Sequence, residues 1–322
     1  MRSANRPRVL VSGDVINDIL VEASGPFAVG DDNPAVIRTL PGGSAANQAV
    51  WMAALGLDVA FAGRVGAQDA DFHRRELARF GVEPHLAIDS SVATGAIVVL
   101  VGPDGERTMI TDRGANLRLR PADVPAALLD AAALLHLTGY SFFDPRTREV
   151  ALGLLGAARR RGVPFTIDPG SAAFLGTLEP GAFVDWTRGA AVCFPNRDEA
   201  AVLTGSAGAP GAPGVPGVPD AAPPPGAGQT DPAAMAAFLS TYYGAVVIKL
   251  GADGAVVAAP GTPPARVAAQ PALVRDTTGA GDAFCAGFLA AWLGGAPLAA
   301  ACAAAAGAAA RAVSSLGGRP GG

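Results

Sequence analysis

The sequence predicts an α/β fold with a mostly parallel central sheet and a second, smaller β-sheet. Two observations lead to this prediction. Strand-like and helix-like segments alternate along most of the chain, which is typical of a parallel sheet with helices on both faces. Four further short strands interrupt the alternation, which indicates a separate sheet that projects from the main one.

The alternating elements follow one another in order from the N-terminus. The first four are expected at Arg8–Gly13 (strand), Ala45–Leu55 (helix), Asp58–Ala62 (strand) and Asp69–Phe80 (helix). Later strands are expected at Leu134–Thr138, Phe165–Asp168, Ala190–Phe194 and Ala245–Lys249. The later helices are expected at Arg146–Arg161, Arg197–Thr204, Pro232–Tyr243, Ala283–Leu293 and Leu298–Ala312. The last two helices are apolar, but Gly294 to Pro297 separates them, and we therefore do not expect a membrane span.

The smaller sheet is predicted from segments 15–40 and 94–112. Its strands are expected at Ile19–Glu22, Ala35–Leu40, Thr94–Val101 and Arg107–Thr111. The turn Gly102-Pro103-Asp104-Gly105 joins the last two strands. Elsewhere, the Pro- and Gly-rich segment 206–231 is predicted to be a flexible surface insertion without a catalytic role, because its residues cannot continue a helix or a sheet.

Composition excludes several classes of function. The 322-residue chain has a formal net charge of −4 and no basic block, so we expect no nucleic-acid partner. Its three cysteines and three histidines lack the spacing of metal ligands or of a disulfide framework. The N-terminal residues lack the apolar stretch of a signal peptide, and we expect a cytoplasmic protein.

The most informative segment runs from Asp276 to Phe284, with the sequence DTTGAGDAF. It brings Gly279, Ala280 and Gly281 to the start of a long apolar helix, where unpaired backbone N–H groups attract anions. Asp282 follows directly, and a carboxylate beside a phosphate site is suited to take a proton from an attacking hydroxyl. The alternative is an ordinary helix N-terminus with Thr278 as the N-cap residue.

A second glycine-rich turn, Pro41 to Val50 (PGGSAANQAV), also opens a helix. The two motifs, in this order and at opposite ends of the chain, resemble the ribokinase (PfkB) family of carbohydrate kinases over nearly the whole length. The resemblance implies one ribokinase-like three-layer sandwich over residues 1–322. It also implies that the small sheet is a lid over the sugar and a possible homodimer contact.

The resemblance implies roles for residues at both motifs and between them. Asp282 would be the general base, with Gly279, Ala280 and Gly281 as the anion hole. The sugar-binding residues would be Asp18, Gly42, Gly43 and Asn47. The ATP-binding residues would be Asn196, Glu199, Lys249, Gly251 and Gly254, with Asn196 and Glu199 organising Mg²⁺. A monovalent cation, K⁺, would bind near Asp276 and Thr278.

Simpler interpretations exist for some of these residues. Asn196 and Glu199 also form a helix capping box, Lys249 is also compatible with a solvated strand end, and Asp276 with a turn cap. Asp14 shares the end of the first strand with Asp18, where ligands collect in open α/β sheets. Arg113, Tyr140, Phe142 and Phe143 are candidate substrate contacts, with a solvated lid residue and core packing as the alternatives.

The substrate is less well defined by the sequence than the chemistry. Ser44 stands where ribokinases carry Lys, and segment 137–140 lacks their acidic residue. Gly170 follows Asp168-Pro169, where kinases of 2-keto-3-deoxygluconate carry Arg. We therefore predict ATP-dependent phosphorylation of a primary hydroxyl of a small neutral sugar, a pentose or hexose. The alternatives are a nucleoside kinase of the same family and a sensor that binds a sugar or nucleotide without catalysis.

Overall fold

The computed structural model describes residues 6–23, 25, 30–101, 107–179, 181–207 and 231–321. Within these ranges the strands are β1 Arg8–Ser12, β2 Ile16–Ala23, β3 Ala35–Gly42, β4 Asp58–Gly66, β5 Glu83–Asp89, β6 Thr94–Val101, β7 Arg107–Gly114, β8 Leu134–Thr138, β9 Phe165–Asp168, β10 Val192–Cys193, β11 Val246–Lys249, β12 Ala255–Ala258 and β13 Ala265–Val267. The helices are α1 Ser44–Ala54, α2 Ala70–Ala78, α3 Ala126–Asp130, α4 Pro145–Arg161, α5 Ala172–Leu175, α6 Ala182–Thr187, α7 Arg197–Ala207, α8 Pro232–Leu239, α9 Ala280–Leu293 and α10 Leu298–Val313.

The large sheet has nine strands in the order β13-β12-β11-β10-β9-β8-β1-β4-β5. All neighbouring pairs from β11 to β5 are parallel, and β12 and β13 add an antiparallel edge. The carboxyl ends of parallel strands meet at one edge of a sheet, where ligands of open α/β folds bind. Asp168, at the end of β9, and Lys249, at the end of β11, therefore lie at the same edge.

Helices cover both faces of this sheet, because successive strand residues point to opposite sides. Val9 of β1 is buried in one core with residues of α1, α2, α9 and α10. Leu10, the next residue, is buried in a second core with residues of α3, α4, α6, α7 and α8. The predicted three-layer α/β architecture is thus confirmed.

The smaller sheet contains four strands in the order β3-β2-β6-β7. Strands β2 and β6 pair in parallel, whereas β2–β3 and β6–β7 are antiparallel. The prediction of a separate small sheet is confirmed. Its predicted turn at residues 102–105 lies outside the described residues, as does most of the predicted insertion, residues 208–230.

Several elements differ from the sequence-based prediction. Strands β5, β12 and β13 and the short helices α3, α5 and α6 were not predicted. Strand β5 contains Pro84, which is tolerated because β5 is an edge strand. Helix α9 begins at Ala280 rather than near Ala283, so Asp282 belongs to its first turn. In the part of the chain that the structure describes, no helix is both long and apolar enough to cross a membrane.

Candidate active site

The DTTGAGDAF segment forms the turn that leads into helix α9. Gly279 is the N-cap residue with φ of 73°, a backbone conformation that side chains other than glycine rarely adopt. A Cβ at this position would also lie 2.5 Å from the backbone of Gly318. The backbone N–H groups of the first helical turn therefore lie next to Gly279, as the sequence predicts, and Asp282 lies in the same turn.

Asp276 and Thr278 shape the start of this turn. Asp276 is 5% exposed, and its Oδ1 accepts a hydrogen bond from the Thr278 N–H at 2.8 Å. Its Oδ2 accepts from the Gly317 N–H at 2.9 Å. Asp276 thus joins the turn to the C-terminal segment of the chain, and a side chain that caps its own turn in this way is common for Asp.

The second glycine-rich turn brings helix α1 against the start of α9. Gly43 is the N-cap residue of α1, with no side-chain cap of its own. Asp14, which follows β1, supplies the cap instead. Its two carboxylate oxygens accept hydrogen bonds from the backbone N–H groups of Ser44 and Ala45, both at 3.2 Å. The role of Asp14 at the end of β1 is therefore to hold the N-terminus of α1.

Three side chains of α1 contact the Asp282 carboxylate. The Ser44 hydroxyl donates to Oδ1 at 2.7 Å, and the Gln48 amide donates to the same oxygen at 3.1 Å. The Asn47 amide lies 3.5 Å from Oδ2. Burial raises the pKa of Asp282 to about 7, while the Ser44 and Gln48 hydrogen bonds oppose this rise. A carboxyl group with a pKa near neutrality can both accept and release a proton under physiological conditions.

Asp168 and Lys249 form a second charged group beside Asp282. Lys249 Nζ donates to Asp168 Oδ1 at 2.9 Å, and the Lys249 side chain is 14% exposed. Lys249 is therefore not a solvated residue at a strand end. Burial lowers the pKa of Lys249, but Asp168, Cys285 and Glu199 together raise it by more than burial lowers it. The net change in the pKa is upward, so the ammonium stays charged. Cys285 Sγ lies 3.3 Å from Asp168 Oδ2 and completes the group.

The residues predicted to bind the sugar lie close to one another. A Cβ at Gly42 would lie 2.1 Å from Asp18 Oδ2, so glycine is required for the Asp18 carboxylate to occupy this position. Arg319 Nε donates to Asn47 Oδ1 at 3.1 Å. Burial raises the pKa of Asp18 to about 6, with Asp14 adding to the rise and Arg319 opposing it. Asp18, Gly42, Gly43 and Asn47 are thus brought together at one side of Asp282.

A cavity of about 570 Å³ lies beside the start of α9. It is bordered by Gly281 and by Lys249. The predicted nucleotide residues Gly251 and Gly254 also line it. The far wall is apolar and is formed by residues from α9 and α10 and the segment before α9, among them Val274, Phe284, Ala306, Ala309, Ala310 and Val313. Its volume falls in the range of small-molecule sites.

Asn196 and Glu199 form the capping box that the sequence also allowed. The backbone N–H of Asn196 donates to Glu199 Oε2 at 2.9 Å, and the Glu199 N–H donates to Asn196 Oδ1 at 2.8 Å. Glu199 is 2% exposed, and burial raises its pKa to about 7. Asn196 also forms an isolated parallel bridge with Lys249, which joins the cap to the charged group beside Asp282.

The geometry and the sequence agree with one known family. Residues 6–321 match the family described as pfkB family carbohydrate kinase. The chain belongs to this family. The pfkB resemblance predicted from the two motifs is therefore confirmed, and this pfkB protein is a phosphotransferase that acts on sugars.

Individual relatives extend over most of this pfkB chain. A fructokinase from Klebsiella pneumoniae is 28% identical over 291 residues, which are 88% of this chain and 83% of the fructokinase. An ATP-dependent ribose-1-phosphate kinase from Halopiger xanaduensis is 29% identical over 89% of this chain and 85% of its own. The structure of Arabidopsis thaliana ribokinase, complexed with ribose and ATP, is 27% identical with a TM-score of 0.74, over 97% of this chain and 94% of that one.

The aromatic candidates of this pfkB kinase divide into two groups. Phe142 is fully buried in the core, where it packs against Phe183. Tyr140 lies nearer the site: its hydroxyl donates to the Gly170 carbonyl at 3.0 Å, and the Arg113 guanidinium lies 4.9 Å from its ring centre. Phe143 contacts Tyr140 edge to face. Arg113 is thus held against Tyr140 rather than fully solvated.

Sequence reasoning missed four residues near Asp282: Gln48, His136, Asp168 as a charge partner, and Arg319. Gln48 directly follows Asn47 in the second glycine-rich motif. Its place near the start of α1 could therefore have indicated a residue of the site. His136 and Arg319 gave no such signal, because nothing in their local sequence indicates which residues they contact. Only the strand order brings β8 beside β1, and only the path of the C-terminal segment brings Arg319 to α1.

Proposed function

We propose that this pfkB kinase transfers the γ-phosphoryl group of ATP to a primary hydroxyl of a small neutral sugar, with Asp282 as the general base. The observation that carries the proposal is the position of Asp282. Asp282 directly follows Gly281, which borders a cavity of about 570 Å³, and its carboxylate contacts a cluster of hydrogen-bonding side chains that includes Asn47. A base for phosphoryl transfer must reach the acceptor hydroxyl while the phosphate lies against the anion hole.

ATP binds in the cavity on the Gly251 and Gly254 side. The apolar wall from α9 and α10 suits the adenine ring, and the first-turn N–H groups of α9 suit the phosphates. Lys249 supports this orientation, because a Cβ built on Gly281 would lie 3.7 Å from its Nζ. The Lys249 ammonium is therefore near enough to the anion hole to stabilise charge on the transferred group.

The sugar binds on the opposite side, beneath the small sheet. Asp18 supplies an acceptor for sugar hydroxyl groups, and Asn47 supplies both a donor and an acceptor. Gly42 leaves the space that the Asp18 carboxylate occupies, and Gly43 lets the backbone of Asp14 come close. Buried hydroxyl groups left unpaired cost roughly 1–3 kcal/mol each, so a site with both kinds of partner suits a polyol better than an apolar ligand.

The reaction then needs one proton transfer and one displacement. The acceptor O–H gives its proton to the Asp282 carboxylate as its oxygen bonds to the γ-phosphorus. The bond between that phosphorus and the β–γ bridging oxygen breaks, and ADP leaves with the bonding electrons. Closure of the small sheet excludes water, which otherwise competes with the sugar as acceptor.

Two ions belong to the proposal. Mg²⁺ would offset the charge of the ATP phosphates, and it usually binds through phosphates, several waters and one or two carboxylates. Glu199 would hold Mg²⁺ through a water molecule and not directly, because both of its carboxylate oxygens already accept hydrogen bonds from Asn196. K⁺ is proposed near Asp276 and Thr278 because the resemblance to the family implies a monovalent cation beside this turn. Turnover in KCl compared with tetramethylammonium chloride tests the K⁺ site.

We also propose a homodimer formed through the small sheet. Ile37 of β3 is 65% exposed, and Met109 and Ile110 of β7 are 61% and 58% exposed. Exposed apolar side chains on a sheet favour association. Light scattering of the purified protein should give twice the monomer mass, and Ile37→Asp with Ile110→Asp, which the strand register places on one face of the sheet, should give the monomer. A monomeric wild-type protein at micromolar concentration would contradict this proposal.

The test of the reaction is a coupled ADP-release assay with Mg-ATP and K⁺ over a panel of acceptors. The panel contains ribose, fructose, other pentoses and hexoses, 2-keto-3-deoxygluconate, ribose 1-phosphate and nucleosides. The proposal predicts the highest kcat/KM for a neutral pentose or hexose. A nucleoside as best acceptor would instead support a nucleoside kinase, and sugar binding without turnover on any acceptor would support a sensor.

A further inference from the structure

We infer that Gln48 is a positioning residue that fixes the Asp282 carboxylate, and that His136 in the central sheet fixes the orientation of the Gln48 amide. The inference rests on the proposed function, in which Asp282 is the base. It concerns residues that the reaction scheme above does not use.

Gln48 connects two carboxylates that come from different parts of the chain. Its side chain is fully buried on α1. Gln48 Nε2 lies 2.9 Å from Asp168 Oδ2 and 3.1 Å from Asp282 Oδ1. The amide has two N–H groups, and each can therefore serve one carboxylate.

The orientation of this amide follows from the chemistry of its neighbours. Ionised carboxylates only accept hydrogen bonds, so the NH₂ end of Gln48 must face Asp168 and Asp282. The carbonyl Oε1 then faces His136 Nε2, which must carry a proton to donate to it. His136 Nδ1, 2.8 Å from Thr166 Oγ1, accepts from that hydroxyl. The neutral tautomer of His136 that carries its proton on Nε2 therefore gives a hydrogen-bond partner both to Gln48 Oε1 and to the Thr166 hydroxyl.

His136 is suited to this neutral role. It is fully buried in β8. Burial lowers its pKa to about 4, with Asp168 opposing and Lys249 adding to the fall. His136 is therefore uncharged at physiological pH, and the direction of the Gln48 amide does not change with pH in that range.

The arrangement distinguishes the two oxygens of Asp282. Oδ1 accepts from both Ser44 and Gln48. Oδ2 has only the long 3.5 Å contact with Asn47 among the described residues. Oδ2 is therefore the oxygen free to take the proton of the acceptor hydroxyl. The Gln48 hydrogen bond, together with that of Ser44, holds Oδ1 in place and leaves Oδ2 for the acceptor.

Several charged and titratable groups surround Asp282 and must be considered in any test by pH. Asp168 comes from β9, Lys249 from β11, and His136 from β8. Cys285 lies one turn further along α9, and Tyr140 follows β8. Of these, Asp168 raises the pKa of Asp282 and Lys249 lowers it. Replacing Gln48 removes a hydrogen bond that favours the ionised carboxylate without adding a charge.

The experiment compares wild-type protein with Gln48→Met, which keeps the size and removes the donor. The carboxyl carbons of aspartate are ¹³C-labelled, and the Asp282 signal is identified by its loss in Asp282→Asn. We expect the NMR titration midpoint of Asp282 to rise by about one unit or more in Gln48→Met, and the acid limb of kcat/KM to move with it. The KM for ATP should change less than twofold. Gln68→Met, on an exposed surface residue, is the control.

Two further variants keep the test decisive. Gln48→Leu also removes the donor without adding a charge and should likewise raise the Asp282 midpoint, so it replaces Gln48→Met if that variant fails to fold. His136→Leu should give a shift in the same direction, because the amide is then free to rotate. His136→Asn, which retains a donor, should restore part of the wild-type behaviour.

The possible outcomes separate the inference from the proposed function. A folded Gln48→Met protein with an unmoved Asp282 titration overturns the inference alone, even if turnover falls at every pH. A moved titration with an unmoved acid limb of kcat/KM shows that Asp282 is not the base. That result would overturn the proposed function and, with it, the positioning role. If the Asp282 titration midpoint and the acid limb of kcat/KM move by the same amount, the result supports the inference.

Discussion

Arg319 Nε donates a hydrogen bond to Asn47 Oδ1 at 3.1 Å, across 272 residues of sequence. Arg319 is 7% exposed, and among the described residues neither of its terminal nitrogens has a partner. Because Nε–H can only donate, it turns the Asn47 oxygen toward Arg319 and the Asn47 amide nitrogen toward Asp282. The C-terminal segment thus orients a side chain of the candidate active site.

Replacing Arg319 by Met should therefore weaken the use of the acceptor. The substitution leaves the buried Asn47 oxygen unpaired and frees its amide to rotate. Loss of a hydrogen bond to a charged group costs about 1.5–3 kcal/mol, so kcat/KM for the acceptor should fall by roughly tenfold to hundredfold. Arg311→Met, at an exposed position of α10, is the matched control. Equal kcat/KM in the two variants would contradict the role of Arg319.

Gly42→Ala should act on the sugar side only. The new Cβ would lie 2.1 Å from Asp18 Oδ2 and must displace the Asp18 carboxylate. We expect the KM for the acceptor to rise by about tenfold or more, with the KM for ATP unchanged. Gly153→Ala on α4, where a Cβ meets nothing within 4 Å, is the control. An equal increase in both KM values would show that the substitution disturbs the whole site.

Ala310→Leu should act on the nucleotide side only. Ala310 lines the apolar wall of the 570 Å³ cavity, and a larger side chain there reduces the space for adenine. Titration calorimetry should show weaker ATP binding, by about tenfold, with acceptor binding retained. Ala304→Leu, on the exposed face of the same helix, should bind ATP as the wild type does. Unchanged ATP affinity in Ala310→Leu would move the nucleotide away from this cavity.

Asp282→Asn should increase stability at high pH. Burial raises the folded-state pKa of Asp282 from 3.8 to about 7, so the folded protein binds this proton more tightly than the unfolded chain does. Stability from this group is present below about pH 4 and is lost as pH rises through about 7. The melting temperature of the variant should therefore exceed that of the wild type by more at pH 8 than at pH 5. A difference that does not depend on pH would contradict the raised pKa.

How much the sequence reveals depends on whether the signal is local. Alternating strands and helices predicted the layers, and the two glycine-rich turns predicted Gly43 and Gly279 as residues at helix N-termini. Strand β5 was missed because Pro84 and His85 do not follow the apolar pattern of a central strand. The pairing of Lys249 with Asp168 was also missed, because it depends on which strands lie near each other in the sheet.

The structure also contains the local capping contacts that were the simpler interpretations of some motif residues. Asn196 and Glu199 do form a capping box, and Asp276 does cap its own turn. A residue can serve a local structural purpose and still lie beside a ligand site, so these contacts do not exclude the proposed roles. No local pattern indicates a role for Arg319, because its partner on α1 lies at the other end of the chain.

The central claim is that Asp282 is the general base, and one comparison tests it most directly. Asp282→Asn and the wild type are assayed for ADP release with the best acceptor, and ATP affinity is measured for both by titration calorimetry. Removal of a general base typically costs 10²–10⁴-fold, and we predict a fall in kcat of about 10³-fold with ATP affinity within about threefold. Turnover within tenfold of the wild type, with ATP still bound, would contradict the claim.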